Sequence, residues 1–350
     1  MIFLKKAFII SGVFISGLIG AGFASGSEIL FYFSRFGKLG LLGVILAVLI
    51  FSVVQYMVIL RSKALGTYSV DEYFSKIMNK PFAIISSALS YMFMLIIFCA
   101  MLSGSGELIS SIFGIKKVYG VLLMLVSTHL ILKKGYRGFL CAQSFLSVII
   151  VGTILVFGTY MLFFREQNIS VFKINTEWST SAISYAGYNL LTAVAILCIL
   201  AKDSFKKSTM ISSLITFSVL FPILTVLWYI ICVYSGMIEL GAMPLLSIAK
   251  RQSDFMGYFY SITLFTSILT TAVSNSYTLV TRLSDFLDEK KAHYLVMVSG
   301  LFLSGLEFEF IVNKMYRFVG IISVVILIFI AKDYMKTNIK NRFIKKNKEK

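Results

Sequence analysis

The chain has 350 residues, 58% of them hydrophobic and only 14% charged, with a mean hydropathy of +0.88. An ordinary soluble domain is about 25% charged, so a soluble protein carrying a single anchor is excluded and a chain that crosses a membrane many times is indicated. The formal net charge of +17 raises nucleic acid as a partner, but the placement of the lysines and arginines assigns them to membrane topology, and no nucleic-acid partner is expected.

A crossing needs about 20 apolar residues. Ten segments are read as spans: 7–33, 39–60, 82–109, 117–132, 138–164, 179–200, 209–235, 255–284, 292–306 and 315–332. The fourth and ninth are the shortest. With the N-terminus in the cytoplasm, the inner segments hold 23 of the 33 Lys and Arg residues. The acids divide almost evenly, so the bias is one of Lys and Arg, as the positive-inside rule requires. Multi-pass residence in the cell membrane with both termini cytoplasmic is therefore expected, and 336–350 reads as a solvated basic tail near anionic headgroups.

The first span carries the least lipid-like stretch of the chain, Ile19-Gly20-Ala21-Gly22-Phe23-Ala24-Ser25-Gly26-Ser27-Glu28-Ile29. Glycine costs about 1 kcal/mol against alanine inside a helix. A charge at the bilayer centre costs about 2.5–3.5 kcal/mol even on insertion scales. These costs predict a helix broken at mid-membrane, with half-helix ends facing a binding site. Lys5 and Lys6 before an apolar run also fit a signal peptide, but the apolar run continues past the small residues to Phe33, as one whole crossing would.

Five spans precede the loop 165–178 and five follow it, which gives the halves opposite orientations. That is the arithmetic of an inverted-topology repeat, with repeats at about 7–164 and 179–332 in a single domain over 1–335. The expected fold is all-α and integral to the membrane, with helices 1 and 6 broken. The sixth span offers Tyr185-Ala186-Gly187-Tyr188-Asn189 as the second break; close helix packing is the other use of Gly187. In the eighth span Ser267, Thr270, Thr271 and Ser274 recur at i, i+3, i+4 and i+7, on one helical face. Hydroxyls in that pattern suit a hard cation or the gluing of two helices.

The four cysteines, Cys99, Cys141, Cys198 and Cys232, lie in apolar spans without CxxC spacing and read as small hydrophobes. His129 and His293 read as interfacial residues, each without a second metal ligand one turn away. Gln55 and Asn189 are candidates for interhelical hydrogen bonds, Glu107 is placed at the outer end of its span, and Glu307 and Glu309 in the last outer loop. Paired catalytic carboxylates, HExxH and a Ser/His pair at common depth are all missing, so no enzyme is expected. A channel finds no filter sequence.

The first-span stretch Gly20 to Ile29, with Tyr185 to Asn189 opening the second half, resembles the uncharacterised bacterial YkvI-like membrane protein family. That family is grouped with the amino acid–polyamine–organocation transporter superfamily, and the resemblance implies the five-plus-five fold of the bacterial leucine transporter. It implies a secondary transporter of a small amino-acid-like or amine solute, working by alternating access with Na⁺ or H⁺ coupling. A ligand-sensing subunit of the same fold is the alternative. By the same resemblance, Gly22, Phe23, Ala24, Ser25, Gly26, Glu28, Tyr185, Gly187, Tyr188 and Asn189 would bind the solute, with the amides of Ala24, Ser25 and Gly26 on a substrate carboxylate. Na⁺ would sit among Gly20, Phe23, Ser267, Thr270 and Thr271, and no other cofactor is implied. Glu28 departs from many amino-acid permeases and favours a cationic or zwitterionic solute, unless it pairs with Arg35.

Overall fold

The structure, a computed structural model, describes residues 2–163, 177–234, 243–305 and 315–348. All regular structure among these residues is helical. The first span is made of three pieces: α1 (Ile2–Leu18), α2 (Ala21–Ser25) and α3 (Ser27–Tyr32). There follow α4 (Leu39–Leu65), α5 (Val70–Ile77), α6 (Lys80–Phe113), α7 (Lys117–Leu132) and α8 (Gly135–Phe163). The second half has α9 (Trp178–Ala201), α10 (Lys206–Tyr234), α11 (Pro244–Gln252), α12 (Asp254–Leu283), α13 (Glu289–Leu303) and α14 (Tyr316–Lys348).

Seven of these helices are long and apolar enough to cross a membrane. The first expected span is interrupted, and the fourth and ninth correspond to helices of 16 and 15 residues. At 1.5 Å rise per residue these two are about 24 and 22 Å long. Two short helices, α5 and α11, were not expected, because their charged and polar residues read as loop. The start of α5 is set by Ser69, whose Oγ accepts from the Glu72 amide at 3.3 Å, while Glu72 accepts in return from the Tyr68 amide at 2.9 Å. The expected tail also differs, since α14 continues as helix to Lys348.

The helices pack in a pattern that recurs five spans apart. α1 packs on α8 and α10, and α9 packs correspondingly on α14 and α4. α6 lies on α7 as α12 lies on α13, and α8 meets α10 as α14 meets α4. The short helices share this regularity, with α5 packing on α6 and α11 on α12. α12 is a well-enclosed partner of the first span; it contacts α1, α2, α6 and α8.

One expectation is overturned. α9 is a single continuous helix through Tyr185, Gly187 and Asn189, so the sixth span has no break. Gly187 instead admits a close approach: a Cβ there would lie 2.8 Å from the Gly320 carbonyl oxygen of α14. A Cβ on Gly320 would in turn fall on Ser184 of α9. The Asn189 side-chain amide donates to the Tyr185 carbonyl one turn back, at 3.0 Å, and so bonds to its own helix rather than bridging to another. A glycine needed for packing and one needed for a break look the same in sequence.

Gly187→Val is therefore expected to destabilise the protein by about 1–3 kcal/mol, the usual cost of overpacking. Thermal unfolding in detergent checks this, and a wild-type unfolding temperature would refute the α9–α14 contact.

Candidate functional site

Breaking a helix inside an apolar layer strands backbone groups that lipid cannot satisfy. Here the helix stops at Leu18 and Gly20 turns extended, with φ −82° and ψ −177°. The chain then makes the single turn of α2 and is interrupted again at Gly26, whose φ of +84° is a left-handed conformation that favours glycine. Space also selects glycine at this point, since a Cβ on Gly26 would lie 2.6 Å from the Leu245 side chain. Two freed carbonyls are met by α12. The Ser267 hydroxyl donates to the Ile19 carbonyl at 2.6 Å, and the Tyr260 hydroxyl donates to the Ala24 carbonyl at 2.7 Å.

Glu28, in the first turn of α3, is only 3% exposed. Its side chain folds back over α2, so that a Cβ on Gly22 would collide with the Glu28 carboxylate. Gly22 thus makes room for the acid. The side-chain group facing the carboxylate is the Tyr188 hydroxyl, and Oε2 is left without a hydrogen bond. No salt bridge joins Glu28 to a basic residue among the described residues. Arg35, the counter-charge considered from the sequence, lies over the Phe31 and Phe36 rings at 4.0 and 4.6 Å.

Around the acid is a cluster of tyrosines. The Tyr32 ring is 5.3 Å from that of Tyr185 and 5.7 Å from that of Tyr188, which are themselves 5.7 Å apart. Tyr316 adds a ring 4.7 Å from Tyr188. Tyr185 and Tyr188, both nominated from the sequence, lie in this cluster. Tyr32 and Tyr316 were missed, because single tyrosines near span ends read as interfacial anchors. Phe23 is buried in α2 but makes no ring contact with the tyrosines.

Two of the three expected carboxylate-binding amides are engaged. The Ala24 amide donates to the Gly20 carbonyl at 2.9 Å and the Gly26 amide to the Phe23 carbonyl at 3.0 Å. The outer half-helix begins at Ser27, beyond the positions expected, and the Ser25 hydroxyl accepts from the Ser27 amide at 3.3 Å. The second glycine conformation at Gly26 is what displaces the helix start.

The residues nominated for Na⁺ do meet, with most of their oxygens already engaged. Thr270 Oγ1 donates to the Ser267 carbonyl at 2.9 Å. Thr271 Oγ1 is buried and unpartnered, and faces Gly20, where a Cβ would lie 3.2 Å from it. At their centre is a residue absent from the sequence reading, the fully buried Gln143 of α8. Its Nε2 donates at 2.8 Å to both the Thr270 carbonyl and the Ser274 hydroxyl, and its Oε1 accepts from Ser16 at 2.6 Å. The available signal was a lone amide near the start of a mostly apolar span.

Other polar residues are placed elsewhere. Gln55 donates to Ser212 Oγ at 3.3 Å, an interhelical bond as expected, and Glu107 pairs with Lys117 at 3.4 Å. His129 and His293, each read as an interfacial residue, meet at 2.8 Å between ring nitrogens. Of the cysteines, Cys141 alone is exposed. Glu307 and Glu309 lie outside the described residues.

No protein-family model matches the chain. It is similar to the uncharacterized membrane protein YkvI of Bacillus subtilis (strain 168), with 23% identity over 317 residues, covering 89% of this chain and 91% of that protein. The resemblance read from the first span is thus met by an alignment over nearly the whole chain. Three solved structures share the fold. A manganese transporter variant of Eremococcus coleocola superposes with a TM-score of 0.64 at 14% identity, over 94% of this chain and 78% of that one. A Na⁺-coupled sialic acid symporter gives 0.61 at 13% identity, with the same coverages. MhsT in complex with L-phenylalanine gives 0.59 at 15%, covering 91% and 87%. The chain is a helical membrane protein with this transporter-type fold.

Ser267→Ala and Tyr260→Phe each leave a buried carbonyl without its donor. Each is expected to cost about 1–3 kcal/mol, measured as a lowered thermal unfolding temperature of the purified protein.

Proposed function

We propose that the chain is a secondary transporter of a small amine-containing or amino-acid-like solute, working by alternating access in the cell membrane with both termini cytoplasmic. The observation that carries this reading is the isolated Glu28 carboxylate under the tyrosine cluster. A buried carboxylate without a counter-ion is costly, and intramembrane acids are rare outside functional sites. An ammonium group satisfies it by charge, and the faces of Tyr32, Tyr185 and Tyr188 stabilise the same group by cation–π attraction, worth about 2 kcal/mol when desolvated. Because the Ala24 and Gly26 amides are engaged, the amine end of a zwitterion has the clearer partner here.

The mechanism is supported by the packing pattern that recurs five spans apart, which is what an inverted repeat produces around a midplane site. The fold neighbours, among them a manganese transporter and a Na⁺-coupled sialic acid symporter, work as transporters by their own descriptions. Alternating access needs a joint, and the first span has two, at Gly20 and Gly26. The driving gradient in this reading is H⁺, carried at Glu28.

The test is thermal unfolding of the purified protein against a panel of amines and amino acids. A ligand at about 100 times its Kd adds about 2.7 kcal/mol of stability. The shift is expected for amines, and is expected to vanish in Glu28→Gln and in Gly22→Ala, where the new methyl displaces the carboxylate. A ligand shift that survives both variants would move the site away from Glu28.

A further inference from the structure

Four hydroxyls on one face of α12 meet the broken first span, and three of them are committed. Ser267 donates to the Ile19 carbonyl, Thr270 donates to the Ser267 carbonyl, and Ser274 accepts from Gln143. The backbone oxygens nearby are committed as well. Gly20 and Phe23 accept from Ala24 and Gly26, and the Thr270 carbonyl accepts from Gln143. A hard cation draws several oxygens towards one point. In this structure an N–H or O–H donor already does so at each of the carbonyls and at Ser274 Oγ, while Ser267 and Thr270 turn their own hydroxyl protons to carbonyls. Ile19 O and Ser267 Oγ, at 2.6 Å, are hydrogen-bonded directly and leave no room for an ion between them.

The donor at the centre is the Gln143 side chain. Its NH₂ group turns towards a carbonyl and a hydroxyl oxygen of α12, while its oxygen takes the Ser16 hydroxyl of α1. This orientation is fixed by its partners, since the Thr270 carbonyl can only accept. The amide therefore holds α1, α8 and α12 together where a bound cation would, its neutral NH₂ gathering two α12 oxygens and its own oxygen taking the Ser16 proton of α1. Unlike an ion, it is tethered and does not leave. Thr271 Oγ1 remains unpartnered at Gly20, but one neutral hydroxyl does not make a cation site.

We propose that Gln143 stands in for a coupling cation at the contact of the first and eighth spans, so that this contact is made without Na⁺. The inference rests on the transporter reading only in treating the contact as one that a coupling ion would otherwise make. Ion binding itself is read directly by the test.

Thermal unfolding of the full-length protein is followed while Na⁺ replaces K⁺ at constant ionic strength. The wild type is expected to show no Na⁺-dependent shift. Gln143→Glu, which puts an anionic oxygen at the centre of the cluster, is expected to gain a saturable stabilisation by Na⁺ over K⁺. Gln143→Ser, which opens the space without adding charge, is a second variant should the first not fold, and is expected to change in the same direction. A saturable Na⁺ shift in the wild type that is lost in Thr271→Ala overturns the proposal, as does Na⁺ indifference in a folded Gln143→Glu or Gln143→Ser protein. An amine panel run on the wild type in K⁺ alone separates the two readings, because its failure counts against the solute site and leaves the ion result standing.

Discussion

A helix interrupted in an apolar layer must find hydrogen-bond donors in the protein, and this requirement shapes the molecule around its first span. Ile19 and Ala24 expose carbonyls that only another helix can reach, and α12 reaches both, through Ser267 and Tyr260. For that to happen α12 must run beside α1 and α2 with its polar face inward, although that face is expensive to bury alone. The expense is offset where hydroxyl and carbonyl satisfy each other, as Ser267 and Tyr260 do with Ile19 and Ala24. Gln143 extends the same logic to α8, with one amide meeting three oxygens.

Glu28 stands outside this arrangement. Ser267, Thr270, Ser274 and Gln143 beside the interruption are hydrogen-bonded within the protein, whereas one Glu28 carboxylate oxygen has no hydrogen bond. Its position is also the most constrained sterically, since it occupies the volume that any side chain at residue 22 would need. An acid accommodated by deleting a neighbouring side chain, and surrounded by the rings of three tyrosines rather than by an arginine, is what the proposed amine-containing solute would pair with.

Much of the architecture was legible because hydropathy and helical period are local. The limits 39–60, 82–109 and 255–284 fall on α4, α6 and α12, and 117–132 coincides with α7. The break at Gly20 was legible because three glycines and an acid in one apolar run have few other uses. Gly187 was misread because its partner, Gly320, is 133 residues away and only the packed structure shows that the two helices touch. The same distance in sequence hid the pairing of His129 with His293 and the reach of Gln143 to Thr270. Hydroxyl spacing identified the face of α12, but whether its oxygens are vacant or engaged depends on donors contributed by other helices.

The two halves differ in stiffness where they correspond in packing. α1 to α3 form a rod with two articulations, at Gly20 and Gly26. Their counterpart α9 is one unbroken rod, keyed into α14 by glycines that leave little clearance for sliding. Asp333 of α14 is further riveted to Arg61 of α4 at 2.5 Å. A load applied at the tyrosine cluster is shared between a compliant member and a rigid strut. The compliant member yields first, so the degrees of freedom of the site are concentrated in about seven residues of one helix instead of being divided between two.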